Sequence, residues 1–167
     1  VKAFLVTQDL KDEEYINSHY VIMATKKGQV KKTSLEQYSR PRTNGINAIT
    51  IREGDELLEA KLTSGDSQVM LALKSGKSIR FEEAKTRPMG RTASGVRGIT
   101  LAHDNDEVIG MVAVNDMDSN ILVVSERGYG KRSKLEDYRV TNRGGKGVKT
   151  LNISEKTGNL VAIKNVD

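Results

Sequence analysis

The sequence predicts an all-β chain of propeller-type blades, and three observations carry that reading. One pattern of apolar strand, glycine turn and second strand occurs three times, with its later glycines, Gly45, Gly95 and Gly147, spaced by 50 and 52 residues. No long stretch keeps the 3.6-residue periodicity of an amphipathic helix. Basic residues also collect at the same place in every repeat.

In chain order, residues 1–7 (VKAFLVT) resemble the closing strand of a preceding blade, and residues 8–16, polar and acidic, read as a connector. Blades are expected over residues 17–63, 64–114 and 115–167. The first hairpin of each blade is YVIMATKKGQVKK, QVMLALKSGKSIRF or NILVVSERGYGKRS, in which a glycine follows seven residues after the first aliphatic: Gly28, Gly76, Gly128. Such runs rich in Val, Ile and Leu, bounded by Gly, Asn, Asp and Lys, are strand and turn signals. Next come TSLEQY and SKLEDY, where Thr33 with Glu36 and Ser133 with Glu136 have capping-box spacing, so a single helical turn is expected. A third strand is expected in GINAITI, GVRGITL and GVKTLNI, and a fourth in ELLEAKLT, EVIGMVAV and NLVAIKNV. Such repetition hides sheet edges in propellers, and closed rings need more than three blades, so an arc is expected.

Composition narrows the functional classes. With 37% hydrophobic residues in 167, a core can form, and no apolar run approaches the length of a membrane helix. The absence of cysteine excludes a disulfide framework and a thiolate metal site. A soluble, intracellular piece of a longer chain is expected, since the sequence starts at Val1 inside a strand pattern.

Net charge is only +5, but its distribution says more. Residues 26–42, 74–97 and 127–149 hold 21 of the 27 Lys and Arg and 5 of the 22 Asp and Glu. A single basic loop is commonly a solvated face. Three in register would align along one edge of an arc, and a continuous basic strip suits a phosphate backbone, with affinity gained by counterion release. Single-strand binders interleave aromatics for stacking. Here only Tyr38, Phe81, Tyr129 and Tyr138 occur, expected to pack, so duplex DNA is favoured.

With its three units, GVRGITL behind an Arg-rich loop, RGYGKR followed by LEDY, and RGGKG at residues 143–147, the whole chain resembles the C-terminal DNA-wrapping domains of type IIA topoisomerase A subunits, of the bacterial DNA gyrase kind. The resemblance implies a β-pinwheel, a propeller-like fold whose blades exchange strands, and a basic perimeter that bends and wraps duplex DNA. It also implies a bacterial cytoplasmic, nucleoid-associated parent. In that parent an ATPase B subunit joins the rest of the A subunit in a heterotetramer, and ATP and Mg2+ are used elsewhere. Arg143, Gly144, Gly145, Lys146 and Gly147 match the last five positions of the family's Gln-Arg-Arg-Gly-Gly-Lys-Gly box, while Thr141 and Asn142 replace its Gln and first Arg. The copy here sits in the last unit, as a relative of the box, with RPRTNG and RTASGVRG as degenerate counterparts, so topoisomerase IV stays open as the alternative parent. The family's nucleophile is a tyrosine after an arginine, which none of the five tyrosines provides, so no catalysis, cofactor or metal is expected of this chain.

Within the basic windows the expected DNA contacts are Lys31, Lys32, Arg40 and Arg42, then Arg80, Arg87, Arg91 and Arg97, then Arg132, Arg143, Lys146 and Lys149. Gly144, Gly145 and Gly147 would bring backbone amides beside Arg143 and Lys146 to form an anion-binding concavity. The plain alternative is a flexible hairpin whose cations face water.

Other motifs fail on their own terms. SGKS at residues 75–78 lacks the earlier glycine of a phosphate loop, because Leu71 stands there. GYG at residues 128–130 lacks the third glycine of a dinucleotide fingerprint. His19 and His103 read as turn residues, and Asp104 with Asp106 as a turn before a strand rather than a cation site. Rival classes are a propeller scaffold for protein partners and, less well supported, a propeller hydrolase. A monomer is expected.

Overall fold

The computed structural model describes residues 5–40 and 42–166. A short helix, α1 (Glu13–Ser18), precedes β1 (Tyr20–Thr25), β2 (Gln29–Ser34) and β3 (Leu57–Thr63). The second unit supplies β4 (Gln68–Leu73), β5 (Lys77–Glu82), β6 (Val96–Arg97) and β7 (Val108–Val114), and the third β8 (Asn120–Ser125), β9 (Gly130–Lys134), β10 (Val148–Lys149) and β11 (Leu160–Val166). The all-β expectation holds. So do the hairpins and closing strands: β1 pairs antiparallel with β2 and β3, β4 with β5 and β7, and β8 with β9 and β11.

The expected third strand behaves differently. Residues 45–51 form no strand, and the later copies contribute two residues each. Those pairs join the sheet of the preceding unit, giving orders β3-β1-β2-β6 and β10-β5-β4-β7 beside the three-stranded β11-β8-β9. This is the strand exchange of a pinwheel, so sheet limits do not follow the repeat limits at residues 63 and 114. Of the strand expected over residues 1–7, residues 1–4 lie outside the described residues and residues 5–7 are not in a strand.

Burial explains the strand sequences. The middle sheet is covered on both faces, so β4 is buried from Val69 to Leu73 and reads as an unbroken apolar run. Val69, Leu71 and Leu73 join Ile22, Ala24, Val30, Ile79, Phe81, Ile99, Val108 and Met111 in a core against the first sheet. Met70 and Ala72 point the other way, into a core with Val112, Val114, Ile121, Val123, Leu135, Tyr138, Leu160 and Ile163. β8 has one covered face, and its buried positions alternate. The far face of the first sheet is covered by α1 and its approach, where Ile16 packs with Val21, Met23, Leu35 and Ala60. Thus the connector contains a helix, whose start is fixed by the Asp12 carboxylate accepting from the amides of Glu14 and Tyr15 at 3.1 and 3.4 Å.

The helical turns expected after the first and third hairpins are present as 3-10 turns, Leu35–Tyr38 and Leu135–Asp137, and an unexpected one, Glu83–Lys85, follows the second hairpin, but the caps are not those expected. Ser34 and Lys134 occupy the cap positions, one residue later than Thr33 and Ser133. At the third turn Asp137, rather than Glu136, accepts from the Lys134 amide at 3.2 Å. The closing strands pack side by side, β3 with β7 and β7 with β11, while the long-loop strands β6 and β10 lie at the opposite edges of the two four-stranded sheets.

Candidate nucleic-acid interface

The interface is built where one unit's long loop crosses the previous unit's hairpin. Each hairpin turn ends on a glycine at positive φ, +96° at Gly28 and +92° at Gly76, whose carbonyl faces the incoming loop. At the first junction the amides of Gly98 and Ile99 donate to Gly28 O at 2.7 and 3.3 Å; at the second, those of Thr150 and Leu151 donate to Gly76 O at 2.8 and 3.2 Å. The crossing needs a second glycine. A Cβ on Gly95 would overlap Val30 O and one on Gly147 would overlap Ser78 O, and both residues hold positive φ, +97° and +78°. Gly45 has φ +77° too, yet nothing lies within 4 Å of its Cβ position.

The RGGKG loop is therefore docked, not loose. Gly144 donates its amide to Gly98 O at 2.7 Å, and Thr100 donates its amide to Gly145 O at 2.8 Å and its hydroxyl to Gly144 O at 2.6 Å. Arg143 Nη1 reaches Arg97 O at 3.1 Å. This corrects the anion-concavity expectation in part: the Gly144 amide is committed to the neighbouring loop, and Gly147 serves the backbone crossing. The side chains of Arg143, Lys146 and Lys149 are exposed.

Equivalent grooves open at the two junctions. The first, of about 700 Å³, is lined by Glu36, Gln37, Arg40 and Arg42 of one unit and Gly90, Arg91 and Thr92 of the next. The second, of about 260 Å³, lies between Phe81, Glu82, Lys85 and Thr86 and the segment Thr141, Asn142 and Arg143. Arg91 and Arg143 each stand four residues before the crossing glycine, so the repeat places a guanidinium at the same point of both grooves. Beside the second, another groove of about 210 Å³ brings Arg139 and Lys146 together. Arg139 is an exposed cation that sequence reasoning did not single out; its signal was available, since Arg87 stands equally far before Gly95. Arg40, Arg42, Arg87, Arg97 and Arg132 are exposed as expected, and Arg91 is half-buried.

Three expected contacts face the protein. Lys31 is fully buried, and its ammonium donates to Ala48 O at 2.5 Å and to Arg91 O, joining the long loops of two units. Burial, with Arg91 adding repulsion, lowers its pKa to about 8. Lys32, also buried, sits 4.4 Å from the Tyr20 ring centre and 3.5 Å from Glu83 Oε2, with Glu83 accepting further from the Thr63 hydroxyl at 2.5 Å and the Ser67 amide at 3.0 Å. Arg80 donates through Nη1 to Leu135 O and Tyr138 O, both at 2.9 Å, and through Nε to Gln68 Oε1 at 3.0 Å. The reason lies in the pleat: adjacent strand residues point to opposite faces, and a sheet covered twice buries both.

Other candidates resolve locally. SGKS runs from the turn after β4 into the first two residues of β5. Asp106 is a buried turn brace, accepting from the Ser75 amide and hydroxyl at 3.1 and 2.7 Å and from the Ala102 amide at 3.1 Å. His19 closes α1, its Nδ1 2.8 Å from Tyr15 O and its ring stacked on Tyr15. Among the described residues no three His, Asp or Glu gather to hold a metal ion, and no helix is long and apolar enough to cross a membrane. Phe81 and Tyr138 are buried in the core and Tyr38 is half-buried, while Tyr129 is exposed at the third hairpin tip beneath Lys156.

Comparisons with known proteins agree with this architecture. A family model described as DNA gyrase C-terminal domain, beta-propeller, matches residues 19–64, 69–115 and 119–167. The DNA gyrase A subunit of Staphylococcus aureus (strain MRSA252) is 44% identical over 167 residues, which is 99% of this chain and 18% of that protein. The C-terminal domain of DNA topoisomerase IV superposes with TM-score 0.83 at 25% identity, covering 90% of this chain and 47% of that one. A DNA gyrase A C-terminal domain superposes with TM-score 0.77 at 24% identity, covering 90% and 50%, a likeness of fold.

Proposed function

Because the chain belongs to the DNA gyrase C-terminal domain family, we propose that it binds duplex DNA with little regard to sequence and bends it along the row of junction grooves. The observation that carries this is the recurrence of exposed or groove-lining cations in the long loop of every unit: Arg40 and Arg42, then Arg87, Arg91 and Arg97, then Arg139, Arg143 and Lys149 at the places matching those three, with Lys146 beside them and Arg132 on the third hairpin. Guanidinium groups set along an edge suit phosphate oxygens, whose contacts position a duplex without reading its sequence. The chain spans 18% of the gyrase protein it matches. Its place is then in a type II topoisomerase in which other parts of the same polypeptide cut DNA and a separate ATPase uses ATP and Mg2+, the wrap supporting supercoiling. This chain contributes binding, not catalysis. The superposition on a topoisomerase IV domain favours a second reading, in which the same surface directs relaxation or decatenation.

The test is a titration of relaxed and nicked circular DNA with the chain at several salt concentrations. Log affinity should fall against log salt by about 0.9 per phosphate neutralised. Alanine at Arg143 and Lys146 together should weaken binding and flatten that slope by about two units, with the fold intact. Unchanged affinity and slope would leave RGGKG as a structural loop and return the molecule to the scaffold reading.

A further inference from the structure

The second strand of every hairpin carries a cation four residues after its turn glycine: Lys32, Arg80 and Arg132. In the two junctions present, that side chain reaches forward onto the 3-10 turn of the next unit. Lys32 meets Glu83, the first residue of the turn Glu83–Lys85. Arg80 meets Leu135 O and Tyr138 O, the carbonyls at either end of the turn Leu135–Asp137. Backbone contacts reinforce both, since the Met89 amide donates to Lys32 O at 2.6 Å and the Thr141 amide to Arg80 O at 2.8 Å.

We propose that Lys32 and Arg80 are positioning residues that fix the angle between adjacent blades, and through it the bend imposed on bound DNA, without touching phosphate themselves. The inference rests on the DNA-binding reading above. Its physical basis is leverage. The arginines proposed as DNA contacts in one unit lie on the long loop that follows its 3-10 turn, so a rotation of that turn about the clamp carries Arg91 relative to Arg42, or Arg143 relative to Arg97. A guanidinium spending two donors on two carbonyls fixes orientation as well as distance, because its fork is planar. The ammonium of Lys32 gains the same constraint from the carboxylate, itself held by Thr63 at the end of β3 and Ser67 just before β4.

The experiment uses this chain with a linear duplex shorter than one persistence length, labelled at both ends for energy transfer. Affinity against salt and transfer at saturation are read for the unaltered chain, Arg80→Gln, Arg80→Lys and Arg143→Ala. Arg80→Gln should keep the salt slope and lower the transfer, and Arg80→Lys should recover part of it. Arg143→Ala should flatten the slope by about 0.9 unit, the signature of a lost phosphate contact. If Arg80→Gln flattens the slope like Arg143→Ala, Arg80 is a DNA contact and the proposal is wrong. It is equally wrong if slope and transfer are both untouched. Should Arg80→Gln lose its cooperative melt, the Lys32→Met, Glu83→Leu pair at the other junction is read by the same criteria. Failure of the unaltered chain to bind any duplex would instead overturn the DNA-binding reading.

Discussion

The two junctions share a backbone and differ in their bolts. Each has a turn-glycine carbonyl accepting two amides and a crossing glycine pressed on the hairpin. The side chains then diverge: the first junction buries Lys31 and a Lys32–Glu83 ion pair, whereas the second has Ile79 in the core and Arg80 on carbonyls. The exchange itself is thus specified by glycine and main-chain hydrogen bonds. What varies between repeats is how the join responds to charge, which makes one junction a control for the other.

The largest separation is expected from Glu83→Ala. It leaves Lys32 buried without its partner and should cost about 3–5 kcal/mol in urea unfolding. Arg80→Ala at the second junction should cost less, about 2–3 kcal/mol, because the half-exposed guanidinium leaves carbonyls that water can reach. Equal losses would mean the ion pair is no more than a surface pair. Next in size are the crossing glycines. Gly95→Ala and Gly147→Ala should each cost about 3 kcal/mol through strain and overlap, against about 1 kcal/mol for Gly45→Ala, which has positive φ but open space. If Gly45→Ala matches them in thermal unfolding, the crossing is not what selects glycine.

A smaller test compares Arg91 with Arg143, one in each groove. Alanine at either should flatten the salt slope of DNA binding by about 0.9, and a flat response from one alone would confine the DNA path to a single junction. A further effect is in pH. The Lys31 pKa is lowered to about 8 in the folded chain against an ordinary 10.5. Between those values the unfolded chain holds a proton that the folded chain has lost, so stability should rise with pH across that window and lack this gain below it. Lys31→Met should abolish the rise, leaving a first junction as indifferent to pH as the second, where Ile79 stands in the same place; parallel urea midpoints for both proteins across the window would contradict this.

Hairpins, closing strands and 3-10 turns were legible because each is local: a six-residue apolar strand, a glycine at the turn, a short amphipathic turn. The exchanged segments were not. GVRGITL and GVKTLNI alternate like strands because Ile99 and Leu101, or Leu151 and Ile153, plug the space between sheets, while their amides serve a glycine carbonyl of another unit. Nothing within seven residues reveals that partner. Charge counting marked loops whose cations are mostly exposed and overreached on the strands, since Lys31, Lys32 and Arg80 look identical to surface cations until the second face of each sheet is known to be covered. Arg143 was legible because its glycine neighbours marked a loop.

Strand exchange also sets how this molecule comes apart. A row of self-contained repeats can fray one at a time, each opening at its own free energy. Here melting the third unit removes β10 from the middle sheet and uncovers the core of Met70 and Ala72, so a unit cannot leave without damaging its neighbour. Amide exchange should accordingly be slowest and nearly uniform across β4, β5 and β7, with β9, exposed along its length, the first to open.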